Sequence, residues 1–183
     1  MSGFSIDIDD AQLTAALRGL TTRLRDLRPV MAGIGQELVT LADLSFRGEQ
    51  DPWGKPWDAL SEVTLLRRGQ RKTGGKSLRT KRGNTRASAL RAMLSAKILR
   101  DTGRLAGSVN YRASRDQVVV GSNVIYAATQ QFGRADNRMF GRALAPIPAR
   151  PFLPIRNGRL DLPAATRAAL LDLLHDALAQ AAQ

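Results

Sequence analysis

Residues 107–122 read GSVNYRASRDQVVVGS, and this stretch decides the fold class. Val109, Tyr111 and Ala113 alternate with Asn110 and Arg112. A period of two places alternate side chains on one face of a strand. SRDQ (114–117) can turn the chain, and VVVGS (118–122) is dense in β-branched residues. The spacing predicts an antiparallel hairpin over about 107–121. Most of the remaining patterned sequence has helical period.

Working outward, Leu13, Leu17, Leu20, Leu24 and Leu27 step by three or four, as one face of a helix does. Asp9 or Asp10 suits its N-cap, and Pro29 marks a break or kink. Val30, Ile34, Leu38 and Leu41 continue the pattern to Phe46, predicting a long, interrupted helical region over about 10–46. Such a leucine stripe reads as core or subunit interface. GEQDPWGKPWDALSEVT (48–64) reads as an ordered loop, with Ser61 and Thr64 flanking a short helical turn at SEVTLLRR. Glycine, lysine and arginine dominate from Gly69 to Thr85. The expectation is a single domain, 1–183, carrying a flexible basic insertion at about 67–85. TRASALRAMLSAKILR (85–100) returns to helix, with Leu90, Leu94 and Ile98 on one side and Arg86, Lys97 and Arg100 on another. IYAATQQFG (125–133) reads as a short helix stopped by Gly133. The proline-rich stretch 134–155 is irregular, with at most an edge strand near Phe152. A last helix is expected from about Leu162 to Ala181, its apolar face formed by Leu170, Leu173, Leu174 and Leu178, with Pro163 tolerated in its first turn.

The chain has 183 residues and a formal charge of +12. Thirteen of its 28 basic residues lie between Arg67 and Arg104, with Asp101 as the one acid there; the rest of the chain holds 15 of each sign. One segment therefore carries the whole excess. Such a block is a contact surface for a polyanion or a self-repelling stretch. The residues assigned to contact DNA or an acidic partner are Arg71, Lys72, Lys76, Arg79, Lys81, Arg82 and Arg86. Within this block GQRKTGGKSL (69–78) imitates a phosphate-binding loop. Gly75-Lys76-Ser77 supplies the last three positions, but the first glycine is Gly69 where the spacing requires residue 70. The preceding TLLRRG is too short and charged to be a buried parallel strand.

The inventory points away from catalysis. There is no cysteine, and one histidine, His175, beside Asp172 and Asp176. One histidine cannot build a multi-histidine metal site. No serine sits in a nucleophile-elbow context, and Asp51, Asp58 and Glu62 form only a modest acidic cluster. No catalytic residue, cofactor or metal is assigned. No apolar run approaches the ~20 residues of a membrane span, and the acidic N-terminus lacks a signal-peptide core, so a soluble protein made in the cytoplasm is expected.

Four motifs carry a resemblance: DPWGKPWDALSEVT (51–64), ILRDTGRLAGSV (98–109), YAATQQFG (126–133) and IPARPFLPI (147–155). In this order and spacing they resemble the phage virion morphogenesis family, the tail-completion proteins of Mu-like and related tailed phages. The matching positions include Asp51, Pro52, Gly54, Trp57, Thr102, Gly103, Leu105, Tyr126, Ala127, Gln131, Phe132, Gly133, Pro148, Arg150, Pro151 and Phe152. Gln130 stands where the family often has His, and Pro154 where Gly is common. The resemblance implies an α+β virion protein, with a small antiparallel sheet and flanking helices, made in the host bacterium. It closes the head-proximal end of the tail as a ring, expected to be a hexamer, against adjoining tail-tube and head-connector proteins. Trp53, Trp57, Thr102, Gly103, Tyr126, Gln131, Phe132, Gly133, Arg150 and Phe152 are the structural or subunit-interface set. Arg150, held between prolines, has a fork that could clamp a carboxylate or a neighbouring subunit's carbonyls. The basic segment would face phage DNA in the channel or an acidic surface of an adjoining ring. A sequence-independent nucleic-acid-binding protein using residues 67–104 is the alternative, and scarce aromatics there argue against single-strand stacking.

Overall fold

The hairpin at 107–122 is present, and the protein is α+β. The computed structural model describes residues 26–73, 77–139, 142–143 and 145–181. The leucine stripe before residue 26 lies outside the described residues. In chain order the elements are α1 (Arg28–Gly48), α2 (Glu62–Lys72), α3 (Ala87–Leu94), β1 (Val109–Ala113) and β2 (Val118–Ser122). They are followed by α4 (Ala127–Phe132), β3 (Arg138–Met139), β4 (Arg142–Ala143), β5 (Ile155–Arg156), β6 (Arg159–Leu160) and α5 (Ala164–Ala181). The strands pair sequentially as three two-stranded sheets. The chain divides into two compact units, to both of which α1 and the β1–β2 hairpin contribute.

One unit holds the first turns of α1, residues 111–120 and α5. The predicted turn closes through Ser114, whose N–H donates to the Gln117 carbonyl at 2.8 Å. Tyr111 and Ala113 point inward while Arg112 is exposed, as the alternation requires. Helix α1 approaches its neighbours through glycines. A Cβ on Gly33 would meet Leu173 Cδ1 at 2.6 Å, and one on Gly35 would meet Tyr111 Cδ2 at 2.5 Å. Glycine costs a helix interior roughly 1 kcal/mol relative to alanine, and the close approach is what it gains here. Pro29 sits in the first turn of α1, where its missing N–H is no loss. Residues 26 and 27 are not helical, so the chain has at this point the break that Pro29 predicted.

The other unit comprises residues 38–110 and 121–163. Its centre is Phe46, 1% exposed, in edge-to-face contact with Trp57 (centroids 5.8 Å apart) and tilted against Phe152 (5.1 Å). Ala42, Leu105 and Leu153 are buried in the same unit. Helix α2 is longer than the short turn expected, reaching Lys72. Ser61 caps it by accepting from Thr64 N–H. Gly69 is buried, and its Cα lies so close to α3 that an added Cβ would stand 3.1 Å from Met93. Gln70, Arg71 and Lys72 are good helix formers, and packing against α3 offsets the one unfavourable residue, Gly69. Residues 77–86 form a tight turn, with an Arg79↔Thr85 bridge and Thr80 N–H donating to the Asn84 carbonyl.

Two further expectations are corrected. Helix α3 ends at Leu94, before Lys97, Ile98 and Arg100. Leu90 and Leu94 are exposed, and Ala89 is its buried residue; Ile98 is buried from outside the helix, just ahead of Leu99 at φ 55°. The irregular region also contains β3–β4, and a β5–β6 hairpin follows it. The latter turns on Asn157-Gly158, both at positive φ (49° and 72°). That is the Asn-Gly signature of a two-residue hairpin.

Candidate functional site

The four motif loops lie in the Phe46 unit, and the side chains of Asp51, Trp57, Gln131 and Arg150 bond to backbone groups. In the first loop Asp51 is the hub. Its Oδ1 accepts from the N–H of Trp53 (3.0 Å) and of Lys55 (2.8 Å), and its own N–H donates to the Lys55 carbonyl. Gly54, at φ 90°, permits the reversal. Asp51→Ala should cost about 1–2 kcal/mol by leaving these donors unpaired, while Asp51→Asn keeps the acceptor and most of the stability. Urea unfolding of the two variants checks this.

Trp57 leaves the loop and inserts against Phe46, its Nε1–H donating to the Pro151 carbonyl at 2.9 Å. Arg150 reaches back across the same space. Its Nε donates to the Asp58 carbonyl (3.0 Å) and its Nη2 to the Ala59 carbonyl (3.1 Å). The clamped carbonyls belong to its own chain. Burial lowers the Arg150 pKa below its usual value, with the Asp58 charge acting in opposition.

Gln131 completes the arrangement. Its Oε1 accepts from the N–H groups of Phe152 and Leu153 (both 3.0 Å), and its Nε2 donates to the Leu153 carbonyl (2.9 Å). A single buried amide therefore pairs like a strand edge with the IPARPFLPI segment. Helix α4 stops at Gly133, φ 74° and ψ 178°, and an added Cβ there would stand 2.8 Å from Ala149 N and 2.9 Å from the Ile147 carbonyl oxygen. Arg134 and Ile147 exchange both backbone hydrogen bonds beside it.

The remaining members of the set differ in exposure. Phe152 is buried, and Trp53 is half-buried with the Arg156 guanidinium 3.6 Å above its ring. Thr102 and Gly103 open the turn before β1, where Gly103 (φ 76°) accepts from Gly107 N–H. Tyr126 and Phe132 flank α4 and remain 40% and 59% exposed, next to Ile125 at 96%. Within the set, Trp57, Gln131, Arg150 and Phe152 form a buried clasp, whereas Tyr126 and Phe132 stay exposed.

The basic residues differ in their local settings. Lys76 lies outside the described residues. Arg79, Lys81 and Arg82 are exposed on the 77–86 turn, whereas Arg86 caps the approach to α3, its Nε donating to the Ser77 carbonyl. Arg71 pairs with Asp101, which Arg68 also approaches at 3.6 Å while donating to the Lys97 carbonyl. The Arg71 hydrogen bond holds the Asp101 carboxyl below the usual carboxylate range. Burial opposes it, and the charges of Arg68, Arg71 and Lys72 add to it. A depressed folded-state value means that these pairs contribute above the ordinary 3.8 and are lost as pH falls through the lower folded value. With Asp101 39% exposed, screening keeps the effect under ~1 kcal/mol. Carboxyl NMR should show Asp101 titrating below 3.8, and Arg71→Ala should move it back up.

The family comparison agrees with this architecture. The profile of the phage virion morphogenesis family matches residues 8–96 and 90–179, which together span nearly the whole chain. The chain belongs to the phage virion morphogenesis family. Searches of curated proteins and of solved structures find no match.

Proposed function

We propose that this chain is a structural protein of the phage neck or tail end. It forms a ring, expected to be hexameric, that completes the tail and joins it to the DNA-filled head. The observation that carries the reading is the family match across residues 8–179. The clasp supports it: Asp51, Gln131 and Arg150 bind backbone and fix loop shape, which is work for a building block rather than an active site. No catalysis is assigned. Ile125, Tyr126 and Phe132 offer the apolar surface for ring contacts. The exposed cations Lys81 and Arg82 suit the channel wall, where phosphates are met without sequence preference.

The test is a phage carrying a disrupted copy of this gene. Its lysate should contain filled heads and unjoined tails, and adding purified protein should restore infectivity. Normal particles without the protein would overturn the reading. The charge excess at 67–104 favours a second reading, a sequence-independent nucleic-acid-binding protein. Tight, salt-sensitive duplex binding by the isolated monomer in gel shifts, with normal particles in the disrupted phage, would establish it instead.

A further inference from the structure

Helix α5 has a second apolar row beside the one that packs inward. Leu170, Leu173 and Ala177 are buried or half-buried, with Leu173 at Gly33 of α1. Leu171, Leu174 and Leu178 are 48%, 37% and 49% exposed. Their spacing of three and four residues sets them on one side of the helix. The other exposed leucines among the described residues all lie in the Phe46 unit. The unit with α5 is also where the N-terminal leucine stripe reaches the described chain. Leu27, the last member of the stripe, is half-buried, and its N–H donates to the Arg115 carbonyl at the β1–β2 turn (3.2 Å). Six residues separate Leu27 from Gly33, about 9 Å of helix, so the stripe enters close to α5.

We propose that the outward row of α5 is the seat of this chain's own N-terminal leucine stripe, Leu13, Leu17, Leu20 and Leu24. The inference stands apart from the neck reading. Three observations carry it. First, each row supplies what the other lacks. A short amphipathic helix is marginal in water and is held by burying its apolar side, and the α5 row is an apolar surface open to receive one. Second, area favours a tethered occupant. Three half-exposed leucines offer on the order of a few hundred Å², against ~800 Å² per partner in a stable interface. A separate molecule gains too little from them, whereas a segment joined at Leu27 is held at an effective concentration of roughly millimolar order. Third, length and charge match. A helix over residues 13–24 is about 18 Å long, and the 18 residues of α5 extend about 27 Å. Residues 11–25 hold three arginines and no acid, while α5 holds Asp172 and Asp176 against Arg167.

The experiment is limited trypsin digestion of the full chain under native conditions, with fragments followed by mass spectrometry. Cleavage after Lys81 and Arg82, on the exposed 77–86 turn, serves as an internal clock. Cleavage after Arg18 and Arg23, inside the stripe, reports whether the stripe is seated. Two double variants are compared with the natural chain. Leu171→Ser with Leu178→Ser alters the seat and leaves the cleaved segment intact, and Leu17→Ser with Leu20→Ser alters the stripe. Relative to the clock, cleavage after Arg18 and Arg23 should be slow in the natural chain and about tenfold or more faster in both variants. Partial burial of two leucines is worth roughly that factor, and cleavage follows the population of the open form. Circular dichroism and an unchanged clock verify that α5 and the rest of the fold survive, and the stripe variant keeps the test valid if the seat variant fails to fold. The proposal is overturned if Arg18 and Arg23 are cut as fast as the turn in the natural chain, or if a folded seat variant leaves their rate unchanged. It is also overturned if tenfold dilution alone speeds their cleavage, which would make a second copy the occupant. None of these outcomes bears on the phage test of the neck reading.

Discussion

Replacing Gly133 by alanine should destabilise the protein by about 3–5 kcal/mol, combining a glycine-only backbone conformation with overpacking. At φ 74° and ψ 178° any Cβ is strained. The atoms it would meet, Ala149 N and the Ile147 carbonyl oxygen, are backbone in a segment held by the Arg134–Ile147 pair and by Arg150 N–H donating to the Gln130 carbonyl, so they cannot swing aside. Gly107→Ala is the control, since nothing lies within 4 Å of a Cβ there. Denaturant midpoints with constant slope would measure both. A cost below ~1 kcal/mol at Gly133 would show that the α4 and IPARPFLPI segments do not approach as closely as described.

Replacing Gln131 by leucine should cost about 2–5 kcal/mol, because two buried N–H groups, of Phe152 and Leu153, lose their acceptor. The Leu153 carbonyl keeps the N–H of Ile155 as a partner and adds little. Gln131→Glu is more informative. It preserves the acceptor but places a carboxylate at a site 4% exposed, opposite a carbonyl. Burial and the facing Leu153 carbonyl should raise its folded-state pKa above the ~4.3 of a free glutamate, against the smaller pull of the two N–H groups that favour the carboxylate. Stability of this variant should then rise as pH falls through that raised value and level off below the unfolded one. Equal stability at neutral and mildly acidic pH would mean that residue 131 is not enclosed as described.

Sequence periodicity was enough for the elements that are locally consistent. The hairpin announces itself by alternation and a turn tetrapeptide, α4 by its terminal glycine, and α5 by its leucines. Helix α3 misled because Leu90, Leu94 and Ile98 have helical spacing, while the chain leaves the helix after Leu94. The Asn157-Gly158 turn was legible and lay hidden in a proline-rich context. The clasp was not legible as geometry. Trp57 reaches Pro151 across 94 positions and Arg150 reaches Asp58 across 92, and no local pattern encodes such pairings. The motifs identified the participants; only the fold shows that their partners are main-chain atoms. The same holds for the basic segment, where composition gave the charge and only the fold shows Asp101, a single acid, between Arg68 and Arg71.

The clasp has a consequence for sequence change. Arg150 holds the carbonyls of residues 58 and 59, and the side chains there, an aspartate and an alanine, are exposed. Every amino acid supplies the same carbonyl, so the two hydrogen bonds do not depend on which side chains residues 58 and 59 display outward, although the Asp58 charge also favours the Arg150 cation. Residue 59 can be re-dressed to suit a different neighbour while the joint beneath it keeps its shape.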